Sequence, residues 1–217
     1  MAKNHVLPRY LLWIALCVCG VLGSGVLGGK QRIGEEANST SQNAESKQLE
    51  EIYTAELGVK EATGNNDGSR VEEYLRYCGL GEGYAWCAAF VSWCHGQAGY
   101  PAPRNAWAAA LFPASKTIWH AESAIGGNAG AGSTTMPRPG DVFGIYYTNL
   151  RRIAHVGFVD GWDDTWCVTV EGNTGPDEPA DTRSDPANPI RAGPPVDGVY
   201  KKRRPVRTIR AVARWAD

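Results

Sequence analysis

The chain has 217 residues, 43% of them hydrophobic, and a formal net charge of -1. That length allows one globular domain with appendages or two small ones, and the composition is that of a globular protein. The near-neutral charge carries no electrostatic footprint for nucleic acid.

Lys3, His5 and Arg9 precede an uncharged run from Tyr10 to Gly29. Its apolar centre is residues 11–18, and Gly23 or Gly25 offers a small residue before a cut. This is the pattern of a secretory signal peptide. The run is also nearly long enough to span a bilayer as an uncleaved anchor, although five glycines after residue 19 weaken it as a helix. Residues 1–29 are therefore expected to be a signal peptide or membrane anchor. The protein is expected to be exported to the periplasm or cell envelope, with membrane association through residues 10–29 as the alternative to cleavage. Residues 30–44 are polar and poor in large apolar groups, which reads as a tether.

A folded part is expected over residues 45–217. Leu49, Ile52, Tyr53 and Leu57 recur at helical spacing within 45–60, and the turn cluster Thr63-Gly64-Asn65-Asn66-Asp67-Gly68 ends that segment. Ser69 or Asp67 is expected to cap a second helix with Val71, Tyr74, Leu75 and Cys78 on one face, and Gly79 to stop it. In a third helix Phe90, Val91, Cys94 and Ala98 recur, with Gly81 and Gly83 before it and Gly96 and Gly99 closing it. Cys87 falls at or near its first turn. Unpaired backbone N–H groups and the positive end of the dipole stabilise an anion there. A thiol in that place ionises more easily than a free one at about 8.5. The competing reading is that Cys87, beside Trp86 and Phe90, is only core.

Residues 101–140 are less regular, with a short helix over 106–112 and a Gly-rich loop over 126–135. From Pro139-Gly140-Asp141 the period becomes that of strands, expected at 141–148, 152–161, 165–173, 198–204 and 206–215. Helices followed by an antiparallel sheet make the class α+β.

A cysteine nucleophile needs a base within hydrogen-bond reach, and the base needs an orienting partner. His5 lies in the export segment. His95 shares a helix with Cys87 but lies ~12 Å further along the axis. His120 sits in an irregular region. His155 lies in the strand 152–160, on one face with Ile153, Gly157 and Val159. The next strand puts Cys167, Thr169, Glu171 and Asn173 on one face. A two-residue hairpin at Asp163-Asp164 would set Glu171 and His155 on opposite faces. A three-residue connection at 162–164 pairs His155 with Glu171. One at 163–165 pairs His155 with Asn173 and leaves Glu171 diagonal. We expect a three-residue connection or a bulge with the same effect.

Four ordered pieces together resemble the CHAP family, the cysteine, histidine-dependent amidohydrolases/peptidases of the papain-like class. They are Trp86-Cys87-Ala88-Ala89-Phe90-Val91-Ser92-Trp93, Pro139-Gly140-Asp141-Val142-Phe143, His155-Val156-Gly157 and Glu171-Gly172-Asn173-Thr174. The resemblance covers residues 45–217. It implies a papain-like arrangement of N-terminal helices packed on a C-terminal antiparallel sheet, with Cys87 as nucleophile and His155 as base. It further implies that Glu171 orients the histidine and Asn173 supports the site. Many relatives cut amide bonds in peptidoglycan, which implies peptidoglycan or its stem peptides as the partner here. The cut would be that of an N-acetylmuramoyl-L-alanine amidase or of an endopeptidase. The alternatives are a non-catalytic wall-binding module and an acyltransferase on the same scaffold.

Two departures accompany the resemblance. Some relatives carry Gln before the cysteine, where it helps form the oxyanion hole. Here that residue is Trp86, whose only side-chain donor is the indole N–H. The Cys87 backbone N–H is one expected donor, and Asn65, Asn66 and Tyr84 are candidates for the second. Residues 174–197 form a long Pro- and Asp-rich connection, in which Asp177, Glu178, Asp181 and Asp185 lack the spacing of an EF-hand. Six cysteines include no C-x-x-C pair, and Cys78, Cys87, Cys94 and His95 lack zinc spacing, so no metal or cofactor is expected. Lys201 to Arg204, with Arg207, Arg210 and Arg214, read as a solvated sheet face, or as a hold on anionic polymer or headgroups.

Overall fold

A computed structural model of the chain describes residues 46–121, 135–176 and 196–216. The export segment and tether, almost all of the Gly-rich loop, and Asp177, Glu178, Asp181 and Asp185 lie outside the described residues.

Helix α1 covers residues 46–55, with Leu49 and Tyr53 fully buried one turn apart. It ends short of the expected 45–60 because a turn over 56–58 leads into Gly58 at φ +90°, and Leu57 is left 40% exposed. Helix α2 is Ser69–Tyr77, burying Val71, Tyr74 and Leu75. No side chain caps it: Gly68 holds the N-cap position. The Asp67 carboxylate instead accepts the Thr63 N–H at 2.9 Å and the Thr63 hydroxyl at 2.6 Å, which closes the preceding turn. Helix α3 is Cys87–Gln97, and every residue from Cys87 to His95 is buried. A helix apolar on all sides must be enclosed. Gly96 lies inside α3 and does not end it. A Cβ there would overlap the Tyr77 ring, so the glycine lets α2 approach.

The expected short helix is a 3-10 turn, Ala108–Leu111. Six strands follow: β1 Thr117–His120, β2 Val142–Tyr147, β3 Arg152–Trp162, β4 Trp166–Thr174, β5 Gly198–Pro205 and β6 Ala211–Ala213. They form one antiparallel sheet in the order β1-β6-β2-β3-β4-β5. Strand β1 was not expected. The strand expected at 206–215 is shortened to β6 by a 3-10 turn, Val206–Thr208, after Pro205. The α+β class with helices preceding the sheet is as expected.

Alternate residues of the sheet face two clusters. Val142, Val156, Phe158 and Val170 pack with Leu49, Tyr53, Tyr74, Phe90 and Val91 of the helices. Phe143, Val159, Cys167, Ile209 and Val212 form the second, smaller cluster. Phe158 joins the layers, stacked on Tyr53 at 4.5 Å and edge-on to Phe90 at 5.8 Å.

The β3–β4 connection differs from both three-residue loops. The Asp163 N–H donates to the Trp166 carbonyl at 2.9 Å, leaving Asp164 and Thr165 as a two-residue tip. Asp163 also accepts the N–H groups of Thr165 and Trp166, which pins the tip. The ladder then shifts by one residue between Val159 and Gly161, leaving Asp160 as a bulge. Beyond the bulge Phe158 faces Val170, and Glu171 comes onto the His155 side of the sheet, within hydrogen-bond reach of its ring. The bulge supplies the shift that an extra loop residue would have supplied. It is held in place, since the Asp160 carboxylate accepts the Tyr53 hydroxyl at 3.1 Å and pairs with Lys201 at 2.6 Å. A second shift, where Ile145 faces His155 but Tyr146 faces Ile153, leaves Ala154 unpaired. Two bulges thus bracket His155 and aim its ring.

Candidate active site

Cys87 is the first residue of α3, and its residue exposure is 5%. Its sulfur accepts the backbone N–H groups of Ala88 and Val156. The turn before it is fixed from three sides. The Trp86 N–H donates to Asn173 Oδ1 at 3.0 Å, and its indole N–H to Glu61 Oε1 at 2.8 Å. Asn173 Nδ2 donates to Asn66 Oδ1 at 2.9 Å and to Glu61 Oε1 at 3.3 Å. Both Asn66 and Asn173 take positive φ, +57° and +56°. Asparagine tolerates that conformation better than most residues. Gly172 makes the close approach possible, since a Cβ there would lie 2.6 Å from the Trp86 ring.

Opposite Cys87 stands His155, whose ring hydrogen-bonds the sulfur. Its Nε2 lies 2.8 Å from Glu171 Oε2, so Nδ1 is the nitrogen left to face the sulfur. Glu171 is fully buried, yet its oxygens have several donors. Arg204 Nη2 donates at 2.6 Å to Oε2, Arg204 Nε to Oε1, and the Thr169 hydroxyl to Oε1. Gly157 admits this carboxylate: a Cβ on it would lie 2.7 Å from the Val170 carbonyl and 3.0 Å from Glu171 Cγ. The space that Gly157 leaves is filled by strand β4.

The charges follow from these contacts. Burial disfavours the Cys87 thiolate, but the hydrogen bond and charge of His155, with the Val156 and Ala88 N–H groups, outweigh it and lower the thiol below its ordinary value. Burial likewise disfavours the imidazolium. Cys87 and Glu171 outweigh it and raise His155 to about 9. For Glu171 burial is overcome by Arg204 and then His155, which bring it down to about 2. In their charged forms Cys87, His155, Glu171 and Arg204 thus alternate in sign from each group to the next.

Three of the four expected site residues, Cys87, His155 and Glu171, meet directly. Asn173 touches Trp86, Asn66 and Glu61. Of the oxyanion candidates, the Trp86 indole is occupied by Glu61 and wholly buried. Asn65 Nδ2 donates to the Thr63 hydroxyl at 2.8 Å, and Tyr84 is 57% exposed. Sequence reasoning missed Arg204, Thr169 and Glu61. Thr169 had a signal, because it shares the strand face of Glu171. Arg204 had none: the register pairs it with Cys167 and pairs Glu171 with Tyr200, so it reaches along the face and not across it.

The other described cysteines, Cys78, Cys94 and Cys167, are free thiols whose ionisation burial disfavours. His95 is buried with Nδ1 on the Val91 carbonyl at 2.9 Å, and burial lowers it to about 4. Among the described residues no group of three or more His, Cys, Asp and Glu converges as a metal site. None of their helices is long and apolar enough to cross a membrane.

Cys87 opens into a groove of about 570 Å³ whose walls include Tyr84, Arg104, Trp107, Arg152 and Ala154. Residues 79–173 match the family model of the CHAP domain, a span that takes in Cys87, His155, Glu171 and Asn173. That match supports the CHAP family reading for this part of the chain. No curated protein and no solved structure matched the chain. A CHAP domain implies amidase or peptidase activity of a peptidoglycan-related kind. Strand β5, with Arg204, lies beyond the matched span.

Proposed function

We propose that the protein is a peptidoglycan hydrolase that cleaves an amide bond through a thioester on Cys87. The observation that carries this reading is the Cys87–His155–Glu171 chain at the helix N-terminus, open to the groove. The Cys87 thiolate attacks the amide carbon, and the carbonyl oxygen becomes an oxyanion. The Cys87 backbone N–H, which has no helical carbonyl to bond, is the first donor to it. His155, as imidazolium, gives its proton to the departing amine as the C–N bond breaks. Neutral His155 then takes a proton from water, which attacks the thioester and releases the acid and the thiol. Glu171, held by Arg204 and Thr169, keeps the imidazole oriented and stabilises its charged form.

Export to the periplasm or cell envelope by residues 1–29, cleaved or retained as an anchor, fits this substrate. Purified peptidoglycan incubated with the protein should release new amine or sugar ends, with mass spectrometry naming an N-acetylmuramoyl-L-alanine or a stem-peptide bond. Cys87→Ala should release none and stay folded. Full release by Cys87→Ala would refute the nucleophile. Wall co-sedimentation by both proteins with release by neither would favour a binding module.

A further inference from the structure

The groove that receives Cys87 carries two cations, Arg104 and Arg152, with no counter-ion among the described residues. Arg104 donates its Nε to the Tyr77 carbonyl at 2.7 Å and lies 4.7 Å from the Tyr77 ring. Its two terminal nitrogens stay free of carboxylates among the described residues. Arg152 rests 4.0 Å from the centre of the Trp107 ring, and its one hydrogen bond among the described residues goes to the Ile153 carbonyl at 3.2 Å. Trp107 is itself 54% exposed. None of the described residues lining the groove is acidic. Elsewhere several cations of this domain are neutralised: Arg70 by Glu56, Arg204 by Glu171, Arg214 by Asp141 and Lys201 by Asp160. In the groove no such carboxylate is paired with Arg104 or Arg152 among the described residues. A flat guanidinium stacked on an aromatic ring loses little freedom on meeting a carboxylate, and its fork matches two oxygens.

We propose that this groove selects a peptide bearing a free carboxylate near the scissile amide, with Arg104 and Arg152 reading that anion and Trp107 backing Arg152. The proposal rests on the hydrolase reading for the identity of the scissile bond, but not for the anion preference. Low-dielectric walls on one side strengthen such a pair relative to open water.

The test uses the full-length protein and two synthetic peptides that differ only in a carboxylate or a carboxamide beside the cleavable amide. The parent should favour the carboxylate peptide by about 10-fold or more in kcat/KM, the range of a charge-assisted hydrogen bond. The preference should shrink with added salt. Arg104→Gln with Arg152→Gln should handle the two peptides alike, whereas a purely structural role for these arginines would lower both rates and keep the ratio. Binding of both peptides to Cys87→Ala, by calorimetry, supplies the arm that does not need turnover. Equal kcat/KM for the two peptides in the parent overturns the proposal and leaves the hydrolase reading standing. Preferential binding of the carboxylate peptide without turnover by the parent supports the groove and removes the hydrolase reading. Neither preference nor turnover overturns both.

Discussion

At the scale of single residues the account turns on charge order along Cys87, His155, Glu171 and Arg204. The productive state needs a thiolate and an imidazolium together. With His155 at about 9, kcat/KM should fall on the alkaline side near pH 9 as the imidazolium deprotonates. On the acid side it should fall where the lowered Cys87 thiolate takes up a proton. Glu171→Gln removes the negative charge that supports the imidazolium. Its alkaline limb should move to lower pH, with kcat/KM down about 10–100-fold, read from the pH–rate profile. An unmoved limb would mean that Glu171 does not set the state of His155. Gly157→Ala should cost activity through geometry, since its methyl group would meet the Val170 carbonyl and Glu171 Cγ. The pH–rate limbs of that variant report whether the His155–Glu171 contact has been lost. The cysteine and histidine were legible in the sequence because helix start and strand alternation set their surroundings. Arg204 was not, because its contact runs along a sheet face and depends on the twist and reach of a long side chain.

Among elements, helix α3 delivers Cys87, so whatever seats α3 governs the site. Glu56, 6% exposed, follows α1, and accepts the Tyr74 hydroxyl and both Arg70 Nε and Nη2 from α2. The Arg70 guanidinium in turn lies 4.3 Å from the Trp93 ring of α3. One buried carboxylate thus ties three helices. Glu56→Ala should destabilise the fold by about 2–3 kcal/mol, below the range for a fully buried pair because Arg70 keeps 38% of its side chain in water. Chemical denaturation measures it, and a change under 1 kcal/mol would show that the network is a surface feature. The β3–β4 hairpin teaches a related lesson. The sequence required a one-residue shift to bring Glu171 onto the histidine face, but loop and bulge satisfy that requirement equally. Asp160 takes the bulge because Tyr53 and Lys201 bind its carboxylate there, contacts far away in sequence. Strand β1 was illegible for a similar reason: four residues, Thr117–His120, pair only with the short β6.

For the molecule as a whole, the order of elements and the α+β class were readable from hydrophobic period, since helical and strand segments are segregated along the chain. The same chain of charges should appear in the acid stability of the domain. Glu171 is depressed from an ordinary 4.5 to about 2, so its contribution is complete above about 4.5 and is lost as the pH falls through 2. The shift corresponds to about 3 kcal/mol. Thermal melts between pH 6 and 2 should therefore show a steeper loss for the parent than for Glu171→Gln, and parallel curves would contradict that linkage. The central claim is that this fold, despite burial, lowers the Cys87 thiol below its ordinary value through His155. Its most direct measurement is the rate at which iodoacetamide alkylates each cysteine as a function of pH, read by mass spectrometry. The account predicts that Cys87 reacts first, with a midpoint below the ordinary thiol value of about 8.5 that moves upward when His155 is replaced by Ala. A Cys87 midpoint at or above 8.5, unchanged by that replacement, would contradict it.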